Sequence, residues 1–158
     1  EPSVIEHFTL ENNVTRDNVT IIKKAITPND GDQVGTYVFE QEKIVTPIEG
    51  ISFKTLLKEN NLNKIDFLKT DCEGGEYSIF TLDNFCWLKE NLGLAVGEWH
   101  LSTPELKTQF RIFRDVFLRL FPNHEVFSID GVDIKWDLWN EHFIEYYNEV
   151  IIHINNKK

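Results

Sequence analysis

Residues Ile65–Tyr77 read IDFLKTDCEGGEY, an apolar run that passes at Lys69 into a lysine, an aspartate, two glutamates and a pair of glycines. The first half has the length and composition of a buried strand, Ile65–Asp71. Lys, Asp and Glu are the residue types least often fully buried. A core strand that ends in them needs partners for those charges or a task for them.

Working outward, Glu76–Asn91 is expected to be helical, broken near Asp83-Asn84, and Leu92–His100 (LGLAVGEWH) to be a second buried strand. Thr103-Pro104-Glu105 is a helix start: a capping hydroxyl, a proline at the first position, then an acid at the positive end of the dipole. Leu106, Phe110, Phe113, Phe117 and Leu120 follow at helical spacing until Pro122, the pattern of a helix packed on a sheet. Strands are expected at Glu125–Ile129 and Tyr147–Ile154, joined by an aromatic stretch with Trp136, Trp139, Phe143 and Tyr146. Upstream, Pro2, Val4, Ile5 and Phe8 suggest a short helix to Asn12–Asn13, and Val19–Ile26 suggests a strand. Gly35–Glu40 and Lys43–Pro47 suggest a hairpin, and Ser52 can cap a helix running to Asn60. Strand and helix alternate, so an α/β fold with a mostly parallel sheet is expected. In such sheets ligands sit beyond the carboxyl ends of the strands.

Alternation puts Lys69 and Asp71 on one strand face with Glu73 just beyond, and Glu98 and His100 likewise share a face. If the two strands are parallel neighbours, all five groups gather at one edge. Gly74-Gly75 permits close backbone approach there. Three readings of this set stand open. It can be a structural ion network, with Lys69 paired to Asp71 or Glu98. It can be a catalytic site, with His100 near neutrality as proton acceptor and Glu98 to orient it. Or Asp71, Glu73, Glu98 and His100 can be an oxygen-rich set for Mg²⁺ or Mn²⁺, which would make the protein a metal-dependent hydrolase or phosphoryl-transfer enzyme. No metal is assigned. A non-catalytic interaction domain, using Trp136 and Trp139 as its contact surface, is a further alternative. His7, His124, His142 and His153 lack such company and are read as non-functional.

The chain has 158 residues, the size of one domain, and a formal net charge of -10. That balance argues against nucleic acid as a partner, because binding it takes clustered Lys and Arg. No segment has the run of apolar residues a transmembrane helix needs, and no signal peptide is visible at the start. Cys72 and Cys86 fit no metal spacing and read as reduced thiols, which places the protein in the cytoplasm. The Asn13 and Asn18 sequons are then chance matches. The chain contains no methionine and begins Glu1-Pro2, so it is expected to be a piece of a longer protein.

IDFLKTDCEGGEY resembles the signature of the FkbM-type methyltransferases, roughly Ile-Asp-x-x-Lys-x-Asp-x-Glu-Gly-x-Glu. The order around it is similar too: an opening Glu-Pro, a strand ending Ala-Ile, GISFKTLL, a strand ending Glu-x-His, and a terminal strand pair. The resemblance covers nearly the whole chain. It implies a Rossmann-like class I methyltransferase α/β fold, with helices on both faces of a seven-stranded sheet and a C-terminal antiparallel strand pair. It implies S-adenosylmethionine as cofactor and O-methylation of a hydroxyl on a sugar or small metabolite, so that the partner is a small-molecule or glycan acceptor. Glu1 matches the acid that holds the cofactor ribose, Ala25 and Ile26 match the adenine side, and Asp71 faces the methionine part and the acceptor. Asp71, Glu73, His100, Lys69 and Glu98 are the catalytic candidates. The family's first strand and glycine-rich loop lie upstream of the Glu-Pro and are absent here. Residues 1–158 are thus expected to be the C-terminal portion of one catalytic domain that binds the cofactor weakly or not at all alone.

Overall fold

The computed structural model describes residues 18–36 and 46–156. The expected helix at Pro2–Asn13, the candidate Glu1, and residues 37–45 of the expected hairpin lie outside the described residues. The chain divides into two compact units, Glu1–Leu56 and Leu57–Lys158. Among the described residues there are seven strands in two sheets and five α-helices, a mixed α/β architecture.

The first unit holds β1 (Ala25–Ile26), β2 (Gln33–Thr36) and β3 (Thr46–Ile51) in the order β1-β3-β2, with β1 parallel and β2 antiparallel to β3. The strand expected from Val19 is much shorter. Its ladder to β3 begins only at Ala25, opposite Gly50, and Val19 and Lys23 are exposed. The turn at Asn29–Asp32 has a second use. Asp30 accepts from the Ser52 backbone N–H and the Thr55 hydroxyl, both at 2.7 Å, and so caps helix α1 (Phe53–Glu59) together with the Ser52 side chain. Those hydrogen bonds hold the Asp30 carboxyl below the usual carboxylate range.

The second unit is built on β4 (Ile65–Thr70), β5 (Leu92–His100), β6 (His124–Phe127) and β7 (Glu149–Asn155), ordered β4-β5-β7-β6. The β4–β5 pair is parallel, while β7 runs antiparallel to both β5 and β6. The expectations of one sheet and of mostly parallel pairing are both corrected: among the described residues two pairings are parallel and three antiparallel. The C-terminal antiparallel pair is present as β6–β7.

The expected long helix after β4 is two pieces, α2 (Glu76–Ile79) and α3 (Leu82–Asn91). The break falls at Phe80-Thr81 rather than Asp83-Asn84, because Thr81 takes the capping position and accepts from the Asn84 N–H. At the far end of α3, the Asn156 amide donates to the carbonyls of Leu88, Lys89 and Leu92, satisfying acceptors that a helix end leaves free. Helix α4 (Pro104–Ile112) starts at its Thr103 cap with Pro104 at the first turn, as its sequence predicts. It then widens into a π turn at Phe113–Phe117 and tightens to a 3₁₀ turn at Leu118–Leu120.

That widening shifts the phase of the apolar stripe. Phe110, Phe113 and Phe117 are buried as expected, but Leu118 and Phe121 take the next core positions and Leu120 is exposed. The core is aromatic. Trp99 of β5 stacks on Phe113 at 5.0 Å between centroids, Phe113 stacks on Phe117, and Phe110 stacks on Phe143 of helix α5 (Glu141–Tyr146). A side chain of this size contributes about 3–5 kcal/mol, judged by what its removal costs. Trp136 is 91% exposed. Trp139 lies under the Arg119 guanidinium at 4.6 Å. No helix among the described residues is long and apolar enough to cross a membrane.

Candidate functional site

The parallel register of β4 and β5 pairs Lys69 with Val96 and Thr70 with Gly97. Beyond β4, the side chains of Asp71 and Glu73 come together with that of His100 at the carboxyl end of β5. On the other side of β5, Glu149 of β7 is opposite His100. The two strands approach closely because position 97 is glycine: a Cβ there would lie 1.9 Å from Thr70 Oγ1.

Past Thr70 the chain turns sharply. The Gly75 N–H donates to the Cys72 carbonyl, Glu73 sits at φ 51° and Gly74 at φ 106°. Only glycine takes the second conformation without strain. A Cβ at Gly74 would also meet Leu106 of α4 at 2.7 Å. This turn swings Glu73 out over β5 and points Glu76 inward.

Glu76 is fully buried. Its Oε1 accepts from the His100 backbone N–H at 2.9 Å and lies 3.0 Å from His100 Nδ1, and its Oε2 accepts from the Gly74 N–H at 3.0 Å. A carboxylate is an acceptor here, so the imidazole proton belongs on Nδ1 and the lone pair on Nε2. The Nε2 atom faces Glu73 at 3.5 Å and Glu149 at 4.0 Å. The hydrogen bond to Glu76 raises the His100 pKa above its ordinary value against the opposing effect of burial, and the charges of Glu76, Glu73 and Glu149 act in the same direction.

Neighbouring groups are held in their neutral forms. Burial, with Glu76 behind it, pushes the Cys72 thiol up to about 11, so it is no nucleophile near neutrality. Burial likewise raises the Tyr77 phenol, whose hydroxyl donates to the His100 carbonyl at 2.8 Å. Tyr77 thus fixes the backbone of the residue whose side chain Glu76 fixes.

Of the residues singled out in the sequence, Asp71, Glu73 and His100 come together, and Glu98 and His100 gather with Glu149. Lys69 pairs with Asp71 at 3.0 Å. The carboxylate at Nδ1 is Glu76, where Glu98 was expected to orient the ring. Glu76 and Glu149 are the members that the sequence did not single out. The signal for Glu76 was present, as the last acid of the quoted stretch. The signal for Glu149 was not, because it reaches the site only through the register of β7 on β5. Ala25 and Ile26 form β1 of the first unit, with Ala25 buried and Ile26 half-buried.

Residues 6–124 match a family model described as the methyltransferase FkbM domain. Neither a curated protein nor a solved structure gives a match.

Proposed function

The chain belongs to the FkbM methyltransferase domain family, and we propose that it serves S-adenosylmethionine-dependent methylation of a hydroxyl on a sugar or small metabolite, with His100 as proton acceptor. One observation carries the reading. Buried Glu76 holds His100 by its backbone and by Nδ1, leaving Nε2 facing the carboxylates of Glu73 and Glu149. A base held this way is pre-aligned for a hydroxyl that approaches along one line.

S-adenosylmethionine supplies a methyl group on a positively charged sulfur. The chain's own residues suit such a donor. Asp71 projects, half-exposed, just past the carboxyl end of β4, where a carboxylate can accept from the ammonium of the cofactor's methionine part. Lys69 holds that carboxylate in place. Bound there, the cofactor would supply the methyl group to the acceptor oxygen, and His100 Nε2 would take the proton of the acceptor hydroxyl. Glu73 and Glu149 stabilise the imidazolium that results, and Glu76 keeps the ring from turning. The complete catalytic domain is proposed to fold in the Rossmann-like manner of class I methyltransferases.

The test is S-adenosylhomocysteine formation by the protein carrying this chain, over a panel of sugars and small polyols. His100→Gln is expected to lower kcat about 10²–10⁴-fold while the KM for S-adenosylmethionine changes little. Turnover at the unmodified rate would remove His100 from the chemistry.

A further inference from the structure

We propose that Glu73 is a proton-dependent latch on His100: it closes on Nε2 while the ring is an imidazolium and swings clear when the ring is neutral. The starting point is that acids face both ring nitrogens. Glu76 lies 3.0 Å from Nδ1, while Glu73 and Glu149 lie 3.5 Å and 4.0 Å from Nε2. A neutral ring that gives its Nδ1 proton to Glu76 carries a lone pair on Nε2. That lone pair repels the two carboxylates in front of it. An imidazolium carries an N–H at both nitrogens and attracts them. The placing of the acids is therefore that of the protonated ring.

Of the groups around Nε2, Glu73 has the most freedom. The ring is held from behind, since Glu76 accepts from the His100 backbone N–H and from Nδ1, and the Tyr77 hydroxyl donates to the His100 carbonyl. Glu149 belongs to β7, in register with His100, and its side chain is 38% exposed. Glu73 stands on the turn after β4, with its side chain 88% exposed. Its contact is too long for a good hydrogen bond and water competes for the carboxylate, so the charge on the ring is what draws it in.

The surrounding charges favour the closed state. Glu76 approaches from α2, Glu149 from β7, Glu98 from β5 itself, and Asp71 and Glu73 from the turn, while the nearby cation, Lys69, is engaged with Asp71. The hydrogen bond to Glu76 and the charges of Glu76, Glu73 and Glu149 outweigh burial and raise the His100 pKa, so the latch opens above pH 6.5. The consequence for catalysis rests on the reading of His100 as proton acceptor. A hydroxyl that gives its proton to Nε2 must come within about 2.6–3.2 Å of it. With the latch closed, Nε2 holds its own proton and the Glu73 carboxylate already faces it.

Crystals of the protein carrying this chain, held at about pH 5.5 and at about pH 8.5, should show Glu73 on Nε2 at the lower pH and turned to solvent at the higher. The same Glu73 contact at both pH values overturns the latch. The second measurement is carbethoxylation of His100 by diethyl pyrocarbonate, which attacks the neutral ring, followed by peptide mass spectrometry with exposed His142 as the reference. The relative rate is expected to rise with pH through a midpoint above 6.5. Glu73→Gln keeps the bulk and removes the charge, so the midpoint falls and His100 reacts about threefold or more faster at about pH 6.5. A midpoint that Glu73→Gln leaves in place overturns the ion pair that closes the latch. Neither measurement involves methyl transfer, so absence of transfer alongside both expected results removes the proposed function and leaves the latch.

Discussion

Replacing Glu76 by alanine strips the acceptor from three N–H groups at once, those of Gly74, the His100 backbone and His100 Nδ1. Because the carboxylate is wholly buried, water cannot take its place. The expected cost is about 3–5 kcal/mol, read as a lower urea midpoint at unchanged slope. His124 makes an opposite kind of demand. Its Nδ1 lies 2.7 Å from the Phe121 carbonyl, its Nε2 is buried without a partner, and Lys135 donates to its own carbonyl. Burial lowers its pKa below the ordinary 6.5, with the Lys135 charge acting the same way. The unfolded chain therefore takes up this proton first. The contribution of His124 is complete above pH 6.5 and is lost as pH falls through 6.5 toward the lower folded value. The raised pKa of His100 acts in the opposite sense, so the loss is read as the difference between the unmodified protein and His124→Gln in urea titrations at about pH 7.5 and about pH 5.5. Neither role was legible in the sequence. Alternation along a strand tells which face a residue takes, not how deeply it lies. The partner of Glu76 is 24 residues away in the chain.

At the scale of elements, β5 and the start of α4 were legible almost to the residue, because each carries its own punctuation. β5 is an unbroken apolar run closed by Glu98-Trp99-His100, and α4 opens on Thr103-Pro104. The segment after α4 was not legible. The helical spacing of Phe110, Phe113 and Phe117 continues to Leu120 in the sequence, but the π turn moves Leu118 and Phe121 into the core instead. A change of helix type leaves no mark in an apolar pattern that is rich on several sides. Phe113 opens that turn, against Trp99, Phe80, Phe110, Phe117 and Tyr77. Phe113→Ala is expected to destabilise the unit by about 3–5 kcal/mol, while Leu120→Ala, at an exposed position of the same stripe, changes stability by about 0.5 kcal/mol or less. Equal losses in denaturant unfolding would place the stripe in the phase that the sequence suggested. Gly97→Ala tests the β4–β5 approach. Its Cβ would press on Thr70 and the Trp99 ring, for a cost of about 1–3 kcal/mol.

Over the whole molecule, charge is the property most directly legible, and it has a measurable effect. A net charge of -10 over 158 residues repels itself in the folded state. Added sodium chloride screens that repulsion, so the melting temperature should rise between about 0.02 and about 0.3 M salt. The surface pairs act the other way, since Lys107, Arg111, Glu141 and Glu145 link α4 to α5 through exposed ion pairs that salt weakens. A falling melting temperature would mean that these pairs outweigh the net repulsion. The sheet order carries a consequence of another kind. β7 is made after the other described strands, yet it lies between β5 and β6. On the ribosome, β5 and β6 must therefore wait with open edges until residues 149–155 have cleared the exit tunnel. Only then can the second unit close, and with it the acid–histidine cluster to which Glu149 belongs. Nascent chains halted short of Glu149 should remain sensitive to protease and prone to pairing with one another, whereas chains released after Asn156 should become resistant in a single step.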